Sequence, residues 1–247
     1  MEGIINFNKP AGMSSAQAVY RIRRVTRVRK SGHAGTLDPR ATGVLVICIG
    51  RATKLVESVM DHPKIYRTHA RLDVTSETLD LDSPLVPKDP EAVPDREAVA
   101  SVCRSWEGRV QQLPPMVSAI KYGGVPAYER LRRNEQLKLV PRAIDIYWIH
   151  LRHFAWPEIE FDVCSGRGTY VRSLVRDIGD AFGAGGVITS LRRDRVGPFA
   201  LPDSVDLDDL DRTRDPAELV TELEKAREML SSANVVVPDR PPVTDRV

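Results

Sequence analysis

The residues best placed to do chemistry lie in the stretch Gly32-His33-Ala34-Gly35-Thr36-Leu37-Asp38-Pro39-Arg40-Ala41-Thr42-Gly43. It sets one carboxylate, that of Asp38, among residues that fix the direction of the backbone. Gly32, Gly35 and Gly43 admit backbone angles closed to other residues, Pro39 fixes its own φ, and Pro39 also turns Asp38 away from helical angles. The carboxylate is therefore expected on a rigid loop rather than on a helix face. The apolar run Leu45-Val46-Ile47-Cys48-Ile49 follows and reads as a buried strand that anchors the loop. Binding and catalytic groups are often presented this way, although an ordinary turn with a solvated Asp has the same local pattern. An ionised carboxylate so held can act as a nucleophile or as a base.

The surrounding elements can be read coarsely. Residues 1 to about 75 give a strand, a basic helix, the Asp38 loop, a strand, a short helix and another strand. The basic helix follows Ser14-Ser15, which are good caps, and carries Val19, Ile22 and Val25 at helical spacing. Those three should face the core while Arg21, Arg23, Arg24, Arg27, Arg29 and Lys30 face outward, as a solvated face or as a phosphate-binding one. Residues 76 to 95 read as loop, 97 to 106 as helix, and 108 to 141 as a cationic excursion. In that excursion Arg130, Arg132, Arg133, Lys138 and Arg142 are interleaved with Tyr122 and Tyr128, which offer stacking surfaces for nucleic acid. Ile144 to Ile149 and Ile159 to Val163 alternate as strands do, and Thr169 to Phe182 reads as a helix. Near the end, Asp215-Pro216-Ala217-Glu218 is a helix start, followed by an apolar stripe of Leu219, Leu223, Ala226, Met229 and Leu230.

Composition sets bounds without choosing a function. The chain has 247 residues, 42% of them hydrophobic, enough for one large domain or a domain with an appendage. No apolar run reaches the length of a membrane span, and no signal-peptide pattern opens the chain. Cys48, Cys103 and Cys164 are scattered without metal-ligand spacing and read as buried thiols of a reducing cytoplasm. The net charge of +2 conceals an asymmetry between the basic helix and an acidic stretch holding Asp203, Asp206, Asp208, Asp209, Asp211 and Asp215.

The Asp38 loop resembles the signature of the TruB family, the tRNA pseudouridine-55 synthases, which reads Gly-His-x-Gly-x-Leu-Asp-Pro-x-Ala-Thr-Gly. Other stretches resemble that family in the same order: Ile5 to Ser15, Lys64-Ile65-Tyr66, Gln112 to Lys121, Gly168 to Leu174, and Leu191-Arg192-Arg193. The resemblance implies an α+β fold, the pseudouridine synthase fold, with a mixed, largely antiparallel central sheet flanked by helices and crossed by a catalytic cleft. It implies Asp38 as the catalytic carboxylate, Arg172 as the cation that holds it ionised, and Tyr66 as the ring that stacks on the target base. His33 would fill the space left by the flipped base, Tyr170 and Leu191 would complete the pocket, and Lys9 would either support the loop or touch RNA. Arg21, Arg24, Lys121, Arg132 and Arg133 would contact RNA.

The implied reaction breaks the bond from ribose C1′ to uracil N1 and remakes it to C5, so no cofactor and no metal is expected. The implied partner is the T-arm stem-loop of tRNA, met by a cytoplasmic monomer with no membrane contact and no obligate protein partner. A guide-RNA-dependent relative and a non-catalytic RNA-binding or tRNA-folding protein are the alternatives. A catalytic domain is expected over 1–205, with an RNA-gripping insertion at about 108–141. Residues 206–247 would form a short helical tail in place of the family's usual C-terminal RNA-binding domain. Departures from the family pattern fall at Asp73, Glu77, Val187 and Asp194, none of them a residue assigned to the reaction.

Overall fold

The computed structural model describes residues 1–117, 121–122, 125–126, 139–232 and 236–241. Along the chain come β1 (Gly3–Lys9), α1 (Ser15–Thr26), β2 (Ser31–His33), β3 (Thr42–Ile49), α2 (Val56–Asp61) and β4 (Lys64–Arg71). Then follow β5 (Val74–Thr75), β6 (Val86–Pro87), α3 (Arg96–Ser105), β7 (Gly108–Gln112), β8 (Lys121–Tyr122), β9 (Val125–Pro126), β10 (Arg142–Ala155) and β11 (Glu158–Ser165). The chain continues with α4 (Val171–Asp180), β12 (Val187–Val196), β13 (Phe199–Ala200), α5 (Leu207–Arg212), β14 (Thr221–Glu222) and α6 (Leu223–Ser232). It divides into two compact units, Met1–Arg67 with Leu191–Asp239, and Thr68–Ser190 with Arg240–Val247. The chain passes between them inside β4 and again inside β12.

The first unit is built on β3, which is buried along nearly its whole length. Side chains alternate across a strand. Val44, Val46 and Cys48 therefore join one apolar cluster, with Ile4, Val59, Val196 and Phe199, while Leu45, Ile47 and Ile49 join another. The second cluster holds Ile5 and Phe7 of β1 together with Ala18, Val19 and Ile22, the inward face of α1. Ser14 begins that helix with a reciprocal capping box, in which its hydroxyl accepts from the Gln17 N–H while the Gln17 side chain accepts from the Ser14 N–H. In this unit the strand order is β14-β1-β3-β12, with β2 also pairing β3 and β13 pairing β12. The β3–β12 pairing is parallel and the others are antiparallel. The expected α+β class with a mixed, largely antiparallel sheet is what the chain forms.

The second unit contains an antiparallel series β7-β10-β11 and two short hairpins, β5-β6 and β8-β9. Helix α3 lies against β10, burying Val99 and Cys103. Its start is capped by Asp95, which accepts from the Ala98 N–H at 2.8 Å. The helix read over 169–182 is shorter at both ends, with Tyr170 in extended conformation at its N-cap. The excursion expected from 108 begins as a regular strand, β7, and Arg142 opens β10. Arg130, Arg132, Arg133, Lys138 and Tyr128 lie outside the described residues.

The C-terminal segment differs from the single helix read in the sequence. Asp215 does cap, accepting from the Ala217 N–H at 2.9 Å, but Pro216–Leu219 form only a short 3-10 turn. The chain then extends because Thr221 and Glu222 pair with Ile4 and Gly3 of β1. A β1 edge left open would expose unpaired backbone groups, and this pairing covers part of it. Val205 covers another part, donating its N–H to Asn6 O and accepting from the Asn8 N–H. Helix formation resumes at Leu223, whose side chain joins Ala226 and Leu230 in the cluster under β3. The apolar stripe is thus shared between the two clusters, Leu219 contacting one and the α6 residues the other. Residues 206–232 belong to the first unit's packing.

This packing predicts that Leu230→Ala destabilises the chain by about 2–5 kcal/mol, the range for a buried Leu truncated to Ala. The exposed Glu228→Ala should stay within about 0.5 kcal/mol. Denaturant midpoints of the two variants against the unaltered chain check both.

Candidate active site

Asp38 sits half-buried between two residues whose backbones are tied down. On one side the Ser15 hydroxyl accepts from the Leu37 N–H at 2.9 Å and donates to Leu37 O at 3.0 Å. On the other, Pro39 O accepts from the Gly12 N–H at 2.9 Å and from the Lys9 ammonium at 3.1 Å. Asp38 O closes the turn by accepting from the Ala41 N–H at 3.1 Å, the arrangement for which Pro at the second turn position is suited. Ala34 donates its N–H to Val46 O, fixing the entry to the loop on β3.

Lys9 is completely buried, and its amine also donates to Pro10 O at 2.9 Å and Met13 O at 2.7 Å. The Lys9 amine thus donates to three backbone carbonyls, one of them Pro39 O in the Asp38 loop. Burial pushes its pKa down from the ordinary 10.5 to about 8, against the attraction of Asp38 and with the repulsion of Arg193. His33, half-buried on β2, has a pKa lowered first by burial and then by Arg193, so its imidazole favours the neutral form. Its Nδ1 is buried with no hydrogen-bond partner among the described residues.

Tyr66 and Leu191 are brought to the same place. Both pack against the cluster containing Leu37 and Ala41, the buried residues on either side of Asp38. Lys9, His33, Asp38, Tyr66 and Leu191 therefore all belong to the first unit. Tyr170 and Arg172 belong to the second. Arg172 is buried, donates to Thr78 O at 2.7 Å and Val117 O at 3.2 Å, and stands 3.9 Å from an Asp80 oxygen. Tyr170 is held by Gln112, whose side-chain amide donates to Tyr170 O at 3.1 Å while its carbonyl accepts from the Tyr170 N–H at 2.9 Å.

Two positioning side chains were not singled out from sequence. One is Gln112, which sits within the quoted Gln112-to-Lys121 stretch but looks there like one polar strand residue among several. The other is Arg193, only 1% exposed, whose Nε donates to Val44 O at 2.7 Å and whose Nη2 donates to Gly35 O at 3.1 Å. Its approach explains Gly43. That residue has φ +96°, and a Cβ there would fall 2.3 Å from Arg193 O.

The residues expected to meet RNA are placed as follows. Arg21 is paired with Asp211 of α5, so its charge is already engaged by an acid. Arg24 is exposed on α1, beside the exposed Tyr20, Arg23 and Arg27. Lys121 lies in β8, while Arg132 and Arg133 lie outside the described residues. Among the described residues no group of three or more His, Cys, Asp and Glu gathers as metal donors, and no helix is long and apolar enough to cross a membrane.

The structure superposes on a chain of a solved complex described as a Cbf5-Nop10-Gar1 complex with a TM-score of 0.70 and 27% identity. The match covers 92% of this chain and 62% of that one, so this chain spans less than two thirds of its neighbour's length. Residues 23–171 match the model described as TruB family pseudouridylate synthase (N terminal domain). Residues 172–233 match a model described as tRNA pseudouridylate synthase B C-terminal domain. The second match includes α5, β14 and α6, which the sequence reading set outside the catalytic domain. A protein named tRNA pseudouridine synthase B from Syntrophotalea carbinolica is 41% identical over 95% of this chain and 78% of its own length. One of the same name from Bordetella avium is 39% identical over 87% of this chain and 89% of its own. The chain belongs to the TruB family of pseudouridylate synthases.

The buried Lys9 makes a pH prediction. Between about pH 8 and pH 10.5 the folded chain holds fewer protons at Lys9 than the unfolded chain does. Its contribution to stability is therefore fully present above pH 10.5 and is lost as the pH falls through 8. Relative to Lys9→Met, the unaltered chain should gain stability as the pH is raised through that window. Denaturation midpoints of both proteins, measured across the window, check the sign.

Proposed function

We propose that this chain isomerises uridine to pseudouridine in tRNA, at position 55 of the T-arm loop, with Asp38 as the reacting carboxylate. The observation that carries the reading is the pinned loop that presents a half-buried Asp38 beside Tyr66 and Leu191 in a chain of the TruB family. The isomerisation needs a carboxylate that either attacks the sugar at C1′ or removes a proton beside it. A loop tied at Leu37 and Pro39 holds that group where a substrate must come to it. The target base must be drawn out of its loop, at a cost of a few kcal/mol. Tyr66 offers a stacking face worth about 1–3 kcal/mol towards that cost. Leu191 supplies further pocket surface, and His33 occupies the space the base leaves.

The exposed arginines of α1 are proposed to meet the RNA backbone. Residues 3–37 contain no Asp or Glu, and Arg24 and Arg27 face outward there with Tyr20. Lys121, Arg132 and Arg133, in the sequence of the insertion, are proposed to contact RNA as well. The proposed enzyme is a cytoplasmic monomer that needs no guide RNA and no obligate protein partner. The greater likeness to the two proteins named tRNA pseudouridine synthase B, 41% and 39% identical, than to the chain of the Cbf5-Nop10-Gar1 complex, 27% identical, supports the reading without an obligate protein partner.

Asp38→Asn should abolish pseudouridine formation while leaving RNA affinity nearly unchanged, because the amide keeps the shape and loses the reactive group. Mapping of modified uridines in tRNA, with binding measured in parallel, checks this. Full activity in that variant would sink the assignment. Arg24→Ala with Arg27→Ala should weaken RNA binding and reduce the slope of log affinity against log salt by about 1 for each arginine that meets a phosphate. An unchanged slope in salt titrations would remove α1 from the RNA surface.

A further inference from the structure

Arg193 is a buried cation that the proposed chemistry leaves without a task. Its guanidinium reaches the two ends of the Asp38 loop at once, through Gly35 O and Val44 O. Its Cζ also stands 6.0 Å from the centroid of the Tyr66 ring, at the outer reach of a cation–π contact. The backbone of the same residue pairs with Gly43 across the parallel β12–β3 contact. We propose that Arg193 is the positioning residue of this site, a single planar cation that sets the carboxylate loop and the stacking ring in register with each other. The inference rests on the reading of Asp38 and Tyr66 given above.

Geometry makes the case for an arginine in particular. The two carbonyls are reached by Nε and Nη2, on one rigid fork, while the guanidinium plane remains available to an aromatic face. A lysine keeps the charge, but its ammonium is a point donor on a flexible stem and cannot hold both ends of the loop at a fixed separation. A carbonyl left without its donor in so buried a place would draw the loop out of position. The neighbour Arg192 cannot stand in, because its guanidinium is committed to Asp194 at 2.5 Å.

The test uses the full chain carrying Arg193→Lys, with Arg193→Met as a second variant, and tRNA as substrate. Single-turnover rate at saturating enzyme should fall about 10- to 100-fold, the scale of loss when a reacting group is held out of place. RNA dissociation constants should change by less than about threefold, since Arg193 is buried and meets no phosphate. The loss should also be coupled to Tyr66. In a double-mutant cycle on the rate, Tyr66→Leu should cost much less in the Arg193→Lys background than in the unaltered chain. A rate for Arg193→Lys within about twofold of the unaltered chain overturns the inference, as does additivity in the cycle. Equal loss of binding and rate would overturn it too. If Arg193→Met does not fold, the Arg193→Lys rate and cycle decide alone. Failure of the underlying reading is distinguishable, because it appears as activity in Asp38→Asn, whereas failure of this inference leaves Asp38→Asn inactive.

Discussion

The placement of Asp38 depends on burying positive charge beneath a loop. Lys9 and Arg193 are both inside the first unit, and both spend their donors on backbone carbonyls of the Asp38 loop or its immediate neighbours. Removing a cation from water is costly unless its donors are satisfied. The loop supplies the acceptors, and the cations in turn deny it other conformations. The same arrangement leaves its mark on titration. Lys9 and Arg193 repel one another, and Asp38 attracts Lys9, so the three charges form one electrostatic unit. His33 is biased towards neutrality first by its burial and then by the charge of Arg193.

Around that centre the first unit is closed by its own C-terminal chain. β1 has β3 on one side, while Val205 and β14 line the other. Since β1 ends at Lys9, whatever holds β1 also holds the amine beneath the loop. The α6 residues Leu223, Ala226 and Leu230 then fill the cluster on the β3 face opposite the one that α1 covers. Stability and site geometry are thus shared between segments far apart in sequence.

Much of this was legible in the residues, for identifiable reasons. The apolar run at 45–49 is a strand buried on both faces, and the alternation at 144–149 and 159–163 marks β10 and β11. Ser14 and the Val19, Ile22 spacing give α1 its start and its inward face. Two things escaped local reading because distant chain decides them. Asp215-Pro216 is a true cap, yet the helix it promises stops after one turn because β1 offers Thr221 and Glu222 a better-paired state. Arg192 and Arg193 look equivalent in sequence, and only the parallel register with Thr42 and Gly43 sends Arg193 inward while Arg192 turns to Asp194. A pattern of polar residues in a strand says that sides alternate, not which side is the interior.

The discontinuity of the first unit bears on how the protein is made. Arg193 reaches back 149 residues to Val44 and 158 to Gly35, across residues 68–190 of the second unit. A chain emerging from the ribosome exposes the Asp38 loop early, while the strand that secures it is still unsynthesised. Until β12 arrives, the loop has its Ser15 and Lys9 ties but lacks the Arg193 fork, and β1 lacks its β14 partner. The order of translation therefore places the finishing of the Asp38 loop after residues 68–190 of the second unit have had their chance to fold.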